Sequence, residues 1–284
     1  MPVVSLVVCL RNQRDLLERL LREAAGCQDD LVVVHDGPEG AGARSMVESA
    51  GGRFFEMPLE QQQERHWPFA WGQAKHDWLL RLDADEFPSA EMKQWLQKFR
   101  RGAEPGDSVS GYTCIWPLWD GRRTISRKWP AGHVFLFNRQ RVRFFGMPEQ
   151  GAIPDGRWEP LDFILHHQPR RRSYGVANIL FRKQAWRWRE AIAKSLLGRP
   201  GDLPGWRWDQ NAPWPVEWEE IRQRPLRTGF SRLTRGTIRG LRAQWKYEHR
   251  LFPMAAISGP VFHALMCWQC WRARRRHSDA KMSG

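Results

Sequence analysis

The stretch DWLLRLDADEFP, Asp77–Pro88, is an almost continuous apolar run that ends in three carboxylates, Asp83, Asp85 and Glu86. Carboxylates set this close repel one another and raise each other's pKa unless a positive charge sits among them. A bound cation is the simplest partner. The apolar residues before them read as a buried strand that delivers the acids to one place. In an extended segment, positions i and i+2 project to the same side, so Asp83 and Asp85 converge at the end of the strand. Hard oxygen donors of this kind suit Mg2+ or Mn2+, which keep several waters and complete their shell with substrate phosphates. The competing reading is a solvated acidic loop with a carboxylate capping the helix that begins near Ser89.

Upstream, apolar runs and helical stripes alternate. VVSLVVCL (residues 3–10) reads as a first strand and RDLLERLLREAAG (14–26) as a helix closed by Gly26. DLVVVHDG (30–37) is a second buried strand, GARSMVESAGG (42–52) a short helix and GRFFEMPL (52–59) a third strand. QQQERHWPFAWGQAKH (61–76) reads as a helix interrupted near Pro68, followed by DWLLRLDADEF (77–87) as the fourth strand. This order predicts an α/β domain with a mainly parallel sheet, whose ligands bind at the carboxyl ends of the strands. Asp36 and Asp83 both close apolar strands at that edge. After a helix at SAEMKQWLQKFRRG (89–102), VSGYTCIWPLWDG (109–121), HVFLFNRQRVRFFG (133–146) and PLDFILHHQ (160–168) predict a mixed or antiparallel extension.

The 284 residues carry 45 Lys and Arg against 31 Asp and Glu, and the excess is local. Residues 1–167 hold 21 basic and 23 acidic side chains, whereas 168–284 hold 24 basic against 8 acidic. The basic part attracts phosphates, whether of nucleic acid, anionic lipid or a phosphorylated glycan. Cys9, Cys27, Cys114, Cys267 and Cys270 are odd in number and scattered, which argues against a disulfide framework and for a reducing compartment. CWQC has metal-type spacing, but no second pair completes a zinc site. The N-terminus lacks the basic region and cleavage site of a signal peptide.

VVSLVVCLRNQRDLLERLL, LVVVHDGPEG and above all QERHWPFAWGQAKHDWLLRLDADEF resemble the family-2 glycosyltransferases of the GT-A fold. The resemblance is closest to the branch that builds lipopolysaccharide cores, and it is strongest over residues 3–90. It implies a Rossmann-like domain that binds a nucleotide-diphosphate sugar across the carboxyl edge of its sheet. Asp36 would then pair with the base, Leu10 and Arg11 would flank the nucleoside, and Arg65 would lie near the donor diphosphate. Asp83 would approach the ribose and the metal, with Asp85 as the main ligand of Mn2+ or Mg2+. FILHHQP (163–169) resembles a later family element, so His166 or His167 would complete the metal shell or touch the diphosphate. FFGMPEQG (144–151) resembles the family segment in which a Gly is followed shortly by His-Glu, which implies Glu149 as the candidate general base of an inverting transfer. Three positions depart from the family pattern: beside Glu149, Pro148 stands where the family often has His. His35 replaces the first Asp of its usual Asp-Asp-Gly-Ser, and Pro38 replaces the Ser.

From Gln168 onward the chain reads as helical and dense in Arg and Trp, broken by GRPGDLPGW (198–206). Segments 170–198, with Trp186 and Trp188, and 231–252 interleave Arg with apolar residues at helical spacing, which suits the headgroup region of an anionic membrane. Residues 253–271 are apolar, but Ser258, Pro260, His263 and Gln269 make them a poor spanning helix. A re-entrant or surface-bound segment is expected there, against the alternative of basic helices packed on the catalytic part. The resulting expectation is a GT-A catalytic domain over 1–180 and a basic helical extension over 181–284, docked on it and peripheral to the inner face of the cytoplasmic membrane. Its function would be inverting, metal-dependent sugar transfer to a lipid-linked or lipopolysaccharide-core acceptor, with no nucleic-acid partner. The alternative is a nucleic-acid-binding protein that uses the Arg/Trp surface. A phosphoryl-transfer enzyme is disfavoured, because no phosphate-cradling Gly-rich loop is present.

Overall fold

The computed structural model describes residues 1–39, 42–60, 63–126, 128, 131–144, 151–171, 174–181, 189 and 216–282. Strands β1 (Val4–Leu10), β2 (Asp30–Asp36), β3 (Arg53–Met57) and β4 (Trp78–Arg81) lie parallel in the order β3-β2-β1-β4. Helices α1 (Arg14–Glu23), α2 (Ala43–Ser49) and α3 (Trp67–Gln73) connect them. Every residue of β1 and β2 is buried, because each face of the sheet carries its own core. Leu6, Val8 and Leu10 pack in one core with Leu17 and Leu20 of α1, whereas Val7 and Cys9 join the other with Trp67 and Trp71 of α3. This is the α/β architecture expected from the alternating segments.

The far half of the sheet is mixed, as expected. β5 (Glu86–Pro88) is followed by α4 (Ala90–Arg101), capped by the Ser89 hydroxyl, which accepts from the Met92 N–H. β6 (Val109–Ile115), β7 (Ala131–Asn138) and β10 (Arg157–His167) extend the order as β4-β7-β6-β10-β5. β7 runs antiparallel to β4 and β6, β6 and β10 are parallel, and β5 is antiparallel to β10. The short strands β8 (Val142–Arg143) and β9 (Ile153–Pro154) pair separately. The carboxyl ends of β1, β2, β4, β6 and β10 therefore share one edge, where β5 and β7 begin.

Two sequence expectations need correction. The run 77–87 is not one strand: β4 stops at Arg81, and the Glu86 N–H donates to the Asp83 carbonyl, closing a turn before β5 pairs with β10. Pro68 does not interrupt a helix over 61–76. It stands in the first turn of α3, where its missing N–H has no helical partner to lose, and Gln63–Arg65 form a separate 3-10 turn.

Asp30, at the start of β2, ties the parallel strands together. Its buried carboxylate accepts from the Ser5 hydroxyl of β1, the Arg53 guanidinium of β3 and the Lys75 N–H that precedes β4. Burial pushes the Asp30 pKa up, but these donors outweigh it and hold the group below its ordinary value. A depressed pKa stabilises the fold above the unfolded pKa of about 4, and that contribution is lost as the pH falls below it. Asp30→Ala is expected to lower unfolding stability by about 2–3 kcal/mol near neutral pH, with a smaller difference in acid, read by urea denaturation.

The chain forms two compact units, residues 1–173 and a helical unit from Tyr174 on. The latter contains α5 (Val176–Phe181), α6 (Val216–Gln223), α7 (Pro225–Glu248) and α8 (Pro253–Met282). The segment expected as a helix over 170–198, with Trp186 and Trp188, lies largely outside the described residues. Helices α7 and α8 pair through small residues. A Cβ on Gly229 would stand 2.9 Å from the Cys267 Cβ, and one on Gly240 would stand 3.3 Å from the Ala256 Cα. At the hairpin turn, His249 takes a left-handed conformation (φ 50°), and the Gln244 amide exchanges two hydrogen bonds with the Phe252 backbone. Residues 253–271 form the first part of α8, which packs along α7. Among the described residues no helix is long and apolar enough to cross a membrane.

Candidate functional site

Glu86 organises the acidic turn. It is fully buried, and its carboxylate accepts from the Trp116 indole (2.7 Å), the Asp83 N–H (2.8 Å) and the His133 Nε2 (3.1 Å). Arg81 Nη2 lies 3.3 Å from the same His133 nitrogen, and its guanidinium covers the Trp67 ring. Trp116 is sandwiched between two imidazoles, His133 at 5.2 Å and His167 at 3.9 Å between ring centroids. Burial opposes ionisation of Glu86, but His133, Arg81 and His167 outweigh it and bring its pKa down to about 2. Glu86 is therefore a charged anchor whose oxygens are spent on the protein, whereas Asp83 and Asp85 are half-buried.

Asp83 behaves in the opposite way. Burial and the charges of Glu86 and Asp85 raise its pKa well above the ordinary carboxylate value, with Arg81 opposing and Glu64 adding to the repulsion. Its neighbour Asp85 is held by its backbone, since the Gln168 N–H donates to the Asp85 carbonyl at 2.8 Å. The Asp85 side chain reaches within 3.6 Å of His167 Nε2.

The two histidines that end β10 separate. The register pairs His167 with Glu86 and His166 with Phe87, so the two rings point to opposite faces of the sheet. His167 is the one brought to Asp85. Its Nδ1 is buried without a hydrogen-bond partner among the described residues. His166, the residue expected at the metal, instead feels the charges of Glu23, Arg19 and Glu91 on the other face. Burial lowers its pKa there, with Glu23 and Glu91 opposing. Glu149, the expected general base, lies outside the described residues.

The expected nucleotide residues gather at the same sheet edge. Leu10 is buried at the end of β1, Arg11 is exposed beyond it, and Asn12 turns left-handed (φ 53°). The Asn12 N–H points to His35 Nε2 at 3.4 Å, while His35 Nδ1 donates to the Gly37 carbonyl at 2.8 Å. His35 thereby joins the loop after β1 to the loop after β2, a structural task for a residue that departs from the family pattern. Asp36 accepts at one oxygen from the Glu60 N–H (2.7 Å) and His66 Nε2 (2.9 Å). Arg65, next to His66, forms a long ion pair with Glu60 at 3.8 Å.

Sequence reasoning missed the Glu86–Trp116–His133–Arg81 assembly, because its members are spread over four segments and meet only through sheet order. The position of Trp116 just past an apolar strand was the available signal. Among the described residues, no group of three or more His, Cys, Asp and Glu side chains is arranged to hold a metal. Two carboxylates are nonetheless the usual protein share of an Mg2+ or Mn2+ site that takes its remaining oxygens from water and phosphate. The repulsion at Asp83 is the condition that such a cation relieves. The donor set fits a hard divalent ion.

No sequence-family profile matches the chain. Among solved structures it is similar to the mannosyltransferase PcManGT from Pyrobaculum calidifontis in complex with GDP-Man and Mn2+, at 14% identity over 94% of this chain and 86% of that one, with a TM-score of 0.49. It is similar to a mycobacterial protein at 14% identity, over 72% of this chain and 76% of that one, with a TM-score of 0.45. Similarity to S. aureus TarS covers 78% of this chain and 42% of that one at 12% identity, with a TM-score of 0.40.

Proposed function

We propose that this chain is an inverting, metal-dependent glycosyltransferase of the GT-A type, in which Asp83 and Asp85 hold Mn2+ or Mg2+ against the diphosphate of a nucleotide sugar. The observation that carries the reading is the division of labour in the triplet: Glu86 is consumed by Trp116, His133 and the Asp83 N–H, while Asp83 and Asp85 follow β4 at the carboxyl edge of the parallel half of the sheet, close enough for the Asp85 charge to raise the Asp83 pKa. The ion, when bound, neutralises charge on the departing diphosphate. Asp83 and Asp85 fix where it sits, and Glu86 fixes them by holding the turn. His167 stands beside Asp85 and is the better candidate than His166 to reach the metal or the diphosphate. Leu10, Arg11 and Asp36 line the edge on the β1–β2 side, which suits the nucleoside, and Arg65 supplies positive charge for the phosphates. Glu149 is proposed as the base that takes the acceptor hydroxyl proton.

The acceptor in this reading is a lipid-linked or lipopolysaccharide-core glycan at the inner face of the cytoplasmic membrane. Residues 1–180 supply the catalytic part and 181–284 the membrane-facing part. The test is a thermal-shift panel of UDP, GDP, ADP and CMP with and without Mn2+. A melting-temperature rise of several degrees with one nucleoside diphosphate, dependent on Mn2+, is the expected outcome. No shift with any of them would remove the nucleotide-sugar reading.

A further inference from the structure

Helix α7 packs on α8 through one narrow face, defined by Gly229, Gly236 and Gly240. At about 100° per residue, Phe230, Thr234, Ile238, Leu241 and Trp245 fall within an arc of about 80° away from that contact. Three of them are strongly exposed: Phe230 at 71%, Ile238 at 50% and Trp245 at 62%. Beside this apolar strip, on its far side from the glycines, Arg235, Arg239, Arg242 and Lys246 fall in a second arc of similar width and are exposed. The only acid in α7 is Glu248, in its last turn. The hairpin tip continues the apolar strip with Leu251 and Met254, each about half exposed.

An exposed apolar strip along some 22 Å of helix, fifteen residues at 1.5 Å each, beside a row of arginines marks a contact surface. The partner must be apolar where Phe230, Ile238 and Trp245 point and anionic where the Arg row points. A bilayer with acidic headgroups has both properties at the depth an interfacial helix occupies. We propose that α7 is a membrane-contact helix that lies in the headgroup region of an anionic bilayer, with Phe230, Ile238 and Trp245 in the acyl boundary and Arg235, Arg239 and Arg242 on lipid phosphates. The Gly-lined face then serves to hold α8 tightly along one side, so that the outer face of α7 stays free for lipid. This rests on the membrane-side placement proposed above and names the surface and the lipid charge that would produce it.

The test uses the full chain in co-sedimentation with vesicles of phosphatidylcholine alone or mixed with phosphatidylglycerol. Binding only to the mixed vesicles, weakened by salt, is the expected result. Arg235→Gln/Arg239→Gln/Arg242→Gln should lower partitioning about a hundredfold, since each basic residue near an anionic surface contributes about a factor of five. Phe230→Gln/Trp245→Gln should lower it at least about tenfold at every salt concentration. Both variants change exposed residues, so circular dichroism and the Mn2+-nucleotide thermal shift should be unchanged, which separates a failure of this surface from a failure of the nucleotide site. Absence of binding to the mixed vesicles, or variants that bind like the wild type, would overturn the proposal. So would an oligonucleotide bound through the same arginines without vesicle binding, or a dimer abolished by Phe230→Gln/Trp245→Gln that ignores vesicles.

Discussion

Asp85→Ala is expected to cut sugar transfer about a thousandfold and to leave the fold intact. The size follows from the proposed role of Asp85 as main holder of a cation that would offset charge on the leaving diphosphate. The small structural effect follows from how Asp85 is built in. The Gln168 N–H holds its backbone carbonyl, and its side chain comes no nearer to His167 than 3.6 Å. Removing the carboxylate also takes one negative charge away from Asp83, where repulsion already raises the pKa. The melting temperature without metal should therefore stay the same or rise slightly, while turnover of the nucleotide sugar selected by the thermal-shift panel collapses. Wild-type turnover in this variant would mean that Asp85 holds no catalytic ion.

Glu86→Ala is expected to act in the other direction, on the fold first. The substitution strands the Trp116 indole, the Asp83 N–H and His133 in a fully buried setting. Leaving such groups unpaired costs about 3–5 kcal/mol. Glu86→Gln preserves the shape but not the charge, and its amide group meets donors on both sides, so an intermediate loss is expected. The pH dependence identifies the cause. A carboxylate lowered from 4.5 to about 2 contributes stability that is fully present above 4.5 and is lost as the pH falls toward 2. The gap between wild type and Glu86→Gln in urea unfolding should thus be widest near neutral pH and shrink in acid. A gap that does not change with pH would show that Glu86 is not an ionised anchor.

The parallel half of the sheet was legible because the two-sided cores leave a direct trace: Val-rich runs at 3–10 and 30–37 with helical stripes between them. Asp83 and Asp85 were legible as neighbouring acids at the end of an apolar run, but the strand alternation expected to align them is replaced by a turn, closed by the Glu86 N–H on the Asp83 carbonyl. Glu86 was not, since its role depends on Trp116 and His133, which lie about 30 and 50 residues away in strands whose order in the sheet no local pattern encodes. The choice between His166 and His167 was hidden for a similar reason. Adjacent residues in a strand face opposite ways, and only the register with β5 decides which one meets the acids. The proline at 68 misled because a helix start and a helix break look alike until the first turn is located.

The most direct measurement is the EPR signal of Mn2+ titrated into the purified chain with a nucleoside diphosphate present. One tightly held ion per chain is expected, lost in the Asp83→Asn/Asp85→Asn double variant while the circular dichroism spectrum is retained. Equal Mn2+ binding by the wild type and the double variant would contradict a metal held by those two carboxylates.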